Sequence, residues 1–183
     1  MSLTPKLCYT SAAVVFHEDK ILLVKHKKTG LWMPPGGHIE PDEYPHVAAE
    51  RECVEETGVK VKAVGFLQLA NSDESEFLPC PFVTNLHWVS RKNYESRQAH
   101  TQLLSTGEYE KETQWKKGCE QHLNYSFLCE IVESADLSGD YKEVDDLVWV
   151  TREELETYTL NSAIRDELMV AFELWDTTFR TVK

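Results

Sequence analysis

Apolar positions along the chain follow two periods, and the alternation between them predicts an α/β protein. "CYTSAAVVF" (residues 8–16) and "KILLVKH" (20–26) read as two strands, with His17, Glu18 and Asp19 turning a hairpin between them. "KKTGLWMPPGG" reads as a loop, since proline cannot join a central ladder and Gly36-Gly37 permits backbone angles that other residues resist. A helix is expected from Pro45, suited to a first helical turn, to Thr57, with Gly58 at the left-handed position just past its end. "VKAVGFLQL" and "PFVTNLHWV" are the next strand candidates. "HLNYSFLCEIV" alternates most cleanly, placing Leu123, Tyr125, Phe127, Cys129 and Ile131 on one face. "EVDDLVWV" reads as a short strand, and "TREELE" opens a helix with a capping box, Thr151 capping and Glu154 answering three residues on. From near Asn161 the stripe Ile164, Leu168, Phe172, Trp175 and Phe179 has the spacing of a helix packed on a core.

The segment from Arg91 to Gly118 breaks this pattern. It is polar, without a clear period, and long for a loop inside a compact domain. Its six bases against four acids make it a candidate for meeting phosphate, and a solvated insertion is the plainer reading. With 183 residues and no linker, the expectation is a single domain over 1–183, with a polar insertion at about 91–118. No apolar run approaches the roughly 18 residues of a membrane span, and no basic-then-apolar leader opens the chain, so the cytoplasm is the default location. Five cysteines (Cys8, Cys53, Cys80, Cys119, Cys129), scattered and odd in number, read as free and mostly buried thiols.

Charge changes the picture more. The net charge of -12 argues against nucleic acid and anionic membranes as partners. Half of it lies between Gly37 and Val59, where seven acids stand against one base, Arg51. On a helix, Glu52, Glu55 and Glu56 fall within an arc of about 100°. Like charges at this spacing repel by a few tenths of a kcal/mol per pair. Ala48 and Ala49 leave room one turn earlier, no lysine within the helix follows at the balancing position, and a glycine-rich loop leads into the helix. Three clustered carboxylates suit a hard dication, Mg²⁺ or Mn²⁺, better than a bare acidic face.

The stretch "GHIEPDEYPHVAAERECVEETGV" resembles the Nudix box, G-x5-E-x7-R-E-U-x-E-E-x-G-U with U a bulky aliphatic. Gly37, Glu43, Arg51, Glu52, Glu55, Glu56, Gly58 and Val59 match, and Cys53 at the first aliphatic position is the departure. The flanking strands, "LVWVTREELE" and the final helix also follow the family's order, whereas the insertion at 91–118 does not belong to it.

The resemblance implies an α/β/α sandwich around a central mixed β-sheet, with a loop–helix–loop that binds divalent metal. It also implies hydrolysis of a nucleoside diphosphate linked to another moiety. By position, Glu52, Glu55 and Glu56 are the implied metal ligands, with the Gly37 carbonyl and Glu40 as further candidates. Glu43 and Arg51 are the implied pair holding the loop on the helix. The general base is left open between Glu52, Glu56 and Glu143, the last lying where some relatives carry a later glutamate. Lys25, Trp32 and His38 are candidate substrate contacts, through phosphate, base stacking and phosphate respectively; a solvated strand end, a core edge and a local hydrogen bond are the plainer readings. The expected partner is a small nucleotide, with a homodimer left open. A non-catalytic nucleotide-binding module is the alternative, and an RNA-cap hydrolase is disfavoured by the charge. Glu74 stands where ADP-ribose hydrolases of the family tend to carry a proline, which disfavours that substrate.

Overall fold

The apolar run near the N-terminus is continuous because its strand is covered on both sides. In the computed structural model, which describes residues 6–65, 71–96, 98, 118–137 and 144–179, Ala13 and Val15 of strand β1 (Leu7–His17) join one core cluster. Val14 and Phe16 join a second on the opposite face. The long strand β7 (Gln121–Ile131) divides in the same way: Phe127 and Cys129 face the first cluster and Leu128 the second. Phe127 and Leu128 are almost wholly buried, and burial of side chains this size stabilises the fold by about 1.5–3 kcal/mol each.

β1 and β7 pair in parallel over ten residues, from Leu7 opposite Gln121 to Phe16 opposite Glu130. The other pairings are antiparallel. β2 (Lys20–His26) meets β1 only at the hairpin end and runs alongside β8 (Val144–Thr151). β5 (Val61–Ala63) and β6 (Val83–Trp88) both lie against β7. Among the described residues the result is a mixed eight-stranded sheet. Helix α1 (Pro45–Thr57) covers one face through Ala49 and Cys53, and helix α2 (Ser162–Thr178) covers the other through Leu168, Ala171 and Phe172. This is the expected α/β/α sandwich.

The segment read as a loop supplies two short strands. β3 (Trp32–Met33) pairs with β2, and β4 (Gly36–His38) pairs with β1 from Thr10 to Ala12. Pro34 and Pro35 occupy the gap between them, where the Pro35 carbonyl accepts from Ala13 N at 2.9 Å. "TREELE" forms its capping box, with Thr151 N donating to Glu154 Oε2 at 2.9 Å and Glu154 N to Thr151 Oγ1 at 3.3 Å. Yet it winds only a 3₁₀ turn (Glu153–Thr157), because the threonine- and tyrosine-rich stretch after it favours helix weakly. Asn161 caps α2 by accepting from Ala163 N at 2.9 Å. Of the polar insertion, residues 91–96 are helical; its basic positions Arg97, Lys111, Lys116 and Lys117 lie outside the described residues.

The cysteine reading is corrected. Cys8 and Cys119 form a disulfide with Cα atoms 5.8 Å apart, and among the described residues Cys53, Cys80 and Cys129 are free. The sequence separation of 111 between the partners carries no spacing signal. Sheet register brings them together instead, since Cys8 lies opposite His122, three residues after Cys119.

Glu167 of α2 is a buried acid facing the sheet, accepting from Asn85 Nδ2 at 3.2 Å. Burial pushes its carboxyl above the usual carboxylate range. A group raised in this way costs stability once pH passes its ordinary pKa, and the cost vanishes below it. Glu167→Gln is therefore expected to raise Tm near neutral pH and to lose that gain by about pH 4. Parallel melts of the two proteins against pH check it.

Candidate functional site

Helix α1 starts at Pro45, after the extended Tyr44, and ends where Gly58 turns left-handed at φ 76° and returns its N–H to Val54 O at 2.8 Å. Its first turn is anchored to the sheet by Ser11, whose hydroxyl lies 2.6 Å from Pro45 O and 3.1 Å from Tyr125 O. Ala48 and Ala49 are fully buried, which lets the helix approach the strands closely, while Val47 and Val54 face outward. Ser11 went unremarked in the sequence, although a polar residue within a buried strand is itself a signal. The middle of α1 is tied by Glu50, which accepts from Ala63 N at 3.0 Å and meets Lys62 Nζ at 3.2 Å. That acid serves the architecture.

Arg51 is the hub of the remaining acids. Its Nε and Nη2 donate to the two oxygens of Glu43 at 2.8 and 3.0 Å, a bidentate bridge from helix to loop. Nη2 also donates to His38 O at 2.9 Å. Nη1 reaches Glu52 Oε1 at 2.9 Å and Glu55 Oε2 at 3.1 Å. The balancing cation for the clustered acids is thus the residue at the head of the cluster, which the sequence assigned to Glu43 alone. Glu43 also accepts from Glu40 N at 3.0 Å, closing a turn in which Asp42 has φ 63°. The guanidinium contact, helped by that backbone bond, holds the Glu43 carboxyl below its usual range against the opposing pull of burial.

The loop closes on the helix through two glycines. Gly36 N donates to Glu56 Oε2 at 3.0 Å, and Glu56 is buried. Gly37 lies against the Glu52 carboxylate so closely that any Cβ there would collide with it. Glu56 and Glu52 therefore lie against the Gly36–Gly37 backbone, Glu55 is joined to Glu52 through Arg51 Nη1, and the donors are all hard oxygens. Such a set fits Mg²⁺ or Mn²⁺, and the space that a Cβ at Gly37 would fill lies directly on one carboxylate. Gly37→Ala is expected to lower kcat at least tenfold by displacing Glu52, with the circular dichroism spectrum kept; the estimate rests on the tolerance of preorganised sites to small shifts.

The other candidates separate. Glu40 is exposed, with its N–H on Glu43. Trp32 packs edge-on to Tyr158 with centroids 5.2 Å apart and joins the second core cluster, so it covers a core edge. Lys25 is half-buried in β2, opposite Trp32 and Asp146. His38 gives its carbonyl to Arg51, while its ring turns to Cys119, with Nε2 3.4 Å from Sγ, and packs on His122. Burial, with the neighbouring His87 and His38 adding to it, pulls His122 down to about 4. Glu143 lies outside the described residues. Cys53, the departure from the box, is a buried thiol pushed up to about 12, as befits a small apolar residue in the core.

A model of the NUDIX domain family matches residues 8–171. The Escherichia coli K12 protein named Phosphatase NudJ is 36% identical over 85 residues, a match taking in 44% of this chain and 56% of that protein. The chain thus aligns with little more than half the length of this relative. A NUDIX-family hydrolase from Clostridium perfringens superposes with a TM-score of 0.65 at 23% identity, over 91% of this chain and 96% of that one. The MutT protein of Methanosarcina mazei Go1 gives 0.59 at 20% identity, covering both chains in full. An Ap4A hydrolase from C. elegans gives 0.57 at 15% identity, over 94% and 99%. Box, sandwich and a family model spanning residues 8–171 agree, and the chain belongs to the NUDIX family.

Proposed function

We propose that this chain is a divalent-metal-dependent pyrophosphohydrolase that cleaves a small nucleotide derivative, a nucleoside diphosphate linked to another moiety, by attack of water on phosphorus. The observation that carries the reading is the complete acid set on one face of α1, with Glu56 and Glu52 against Gly36 and Gly37 and Glu55 tied to Glu52 through Arg51. A module that only bound nucleotide would have no need to retain every acid, and its carboxylates would repel the diphosphate. Glu52, Glu55 and Glu56 would hold Mg²⁺ or Mn²⁺, with the Gly37 carbonyl and Glu40 as further candidates. Bound there, the ion would offset the charge of the diphosphate, draw electron density from a phosphoryl oxygen and acidify water.

The chain's own residues have three tasks. Arg51 orients Glu52 and Glu55 through one nitrogen and fixes Glu43 through two others. Gly36 N steers Glu56. A carboxylate then takes the proton of the attacking water; Glu52, Glu56 and Glu143 are the candidates, and a glutamine in place of the true base would remove the acidic limb of the pH–rate profile. The NudJ likeness and the Nudix neighbours support hydrolysis of a phosphoric anhydride. A screen of dinucleoside polyphosphates, nucleotide sugars, ADP-ribose and nucleoside triphosphates with Mg²⁺ and Mn²⁺, products identified by mass, tests the reading. Turnover of at least one with cleavage between phosphates is expected. Tight nucleotide binding without any turnover would replace the enzyme with the non-catalytic module.

A further inference from the structure

Across the sheet from the carboxylate cluster's Arg51, a second set of ligand-type side chains converges that the proposed reaction does not use. Cys8, His38 and Cys119 bring their sulfur and imidazole atoms within 4.8 Å of one another. They come from β1, from β4 and from the turn entering β7, so no local motif assembles them. Register explains the convergence. Cys8 lies opposite His122, and His122 opposite His87, forming a row across β1, β7 and β6. His38 lies opposite Thr10, two residues from Cys8 and therefore on the same side of β1. The His122 ring sits edge-on to His38 with centroids 5.0 Å apart, and to His87 at 5.3 Å. His87 Nδ1 is in turn 2.9 Å from Asn85 Oδ1, the kind of partner that orients an imidazole.

We propose that, when the Cys8–Cys119 disulfide is reduced, Cys8, Cys119 and His38 form a thiolate–imidazole site for a zinc-class dication, separate from the carboxylate site. A disulfide alone has no use for an imidazole 3.4 Å from one sulfur. A tetrahedral site with Zn–S near 2.3 Å and Zn–N near 2.0 Å needs ligand atoms about 3.5–3.8 Å apart, and His38 Nε2 and Cys119 Sγ, at 3.4 Å, lie just short of that spacing. Two sulfurs and a ring nitrogen select a borderline-soft ion over Mg²⁺. His122 or water takes the fourth position. The redox step balances with a dithiol reductant: it gives two electrons and two protons to the S–S bond, leaving two thiols, and itself becomes a disulfide. Each thiol then loses its proton to solvent as it ligates. The site bears on the box through the backbone, because the carbonyl of the same His38 accepts from Arg51.

The test is a Co²⁺ titration of the full chain, once oxidised and once reduced with a phosphine. Thiolate-to-cobalt charge transfer and intense tetrahedral visible bands are expected, at one equivalent, in the reduced protein alone. Oxygen ligands on α1 cannot produce the charge transfer, so Glu55→Gln is expected to leave it intact. Cys8→Ser and Cys119→Ser are expected to abolish it, His38→Ala to weaken the metal at least tenfold, and Cys80→Ser to change nothing. Should the serine variants not fold, alkylation of the reduced wild-type protein with mass mapping serves instead, with stoichiometric Zn²⁺ expected to protect Cys8 and Cys119. Absence of charge transfer in the reduced chain, its survival in either serine variant, or unprotected thiols would overturn the proposal.

Discussion

Glu55→Gln and Glu56→Gln are each expected to cut turnover by more than a hundredfold while leaving the fold intact. Losing a residue that merely supports a metal ligand costs about 10–100-fold, and losing a ligand, the role proposed for both glutamates, costs more. The two sites differ in how the fold is spared. Glu55 is largely exposed, its side chain 59% accessible, and touches Arg51 Nη1 at 3.1 Å; its amide would shed a surface contact of little energetic weight. Glu56 is buried, yet a glutamine there keeps an oxygen for Gly36 N. Steady-state kinetics in Mg²⁺, with thermal melts of each variant, check the pair of claims. Near-normal kcat in both variants would remove the carboxylates from the chemistry.

How much of this was legible in the sequence depends on the range of each interaction. Helix α1 could be bounded from Pro45 to Thr57 because its start and stop signals are local: proline fits a first turn, and Gly58 takes φ 76°. The Glu43–Arg51 bridge was legible by position within the box, and the structure brings the two together bidentately. The capping box at Thr151 was legible too, but a cap reports where a helix begins and carries no information on its length.

What was not legible depends on partners far along the chain. β3 and β4 have two and three residues, too few for any period, and exist because β2 and β1 offer them hydrogen bonds. The ten-residue parallel pairing of β1 with β7 puts Cys8 beside His122 and hence near Cys119, a juxtaposition that composition and spacing hide. His38 was placed near phosphate because it follows the glycines. Alternation along the three-residue β4 sends its ring toward Cys119 while its carbonyl faces Arg51.

Arg51→Lys is expected to cost both activity and stability, and the way it does so separates charge from geometry. Lysine keeps the positive charge but has a single nitrogen, whereas Arg51 spans Glu43, Glu52, Glu55 and the His38 carbonyl at once. Glu43 and Glu52 are mostly covered, with 12% and 16% of their side chains accessible, so they would face one another with their bridging donors reduced. A loss of about 1–3 kcal/mol in unfolding free energy follows from under-satisfied acceptors near the surface. A drop of roughly 10–100-fold in kcat follows from loosened ligand positions. The pH dependence supplies the sharper readout. Glu43 is held below the usual carboxylate range chiefly by its hydrogen bond to Arg51. A depressed carboxylate stabilises the fold above its ordinary pKa, and that stability disappears as pH falls through the lowered value. The wild-type protein should therefore lose stability along this acid limb, and Arg51→Ala, which removes the bridge altogether, should flatten it, with Arg51→Lys between the two. Urea midpoints measured from neutral pH down to about pH 3 decide it: parallel acid limbs in all three proteins would mean that Glu43 draws its depression from elsewhere and that the bridge does not hold the loop.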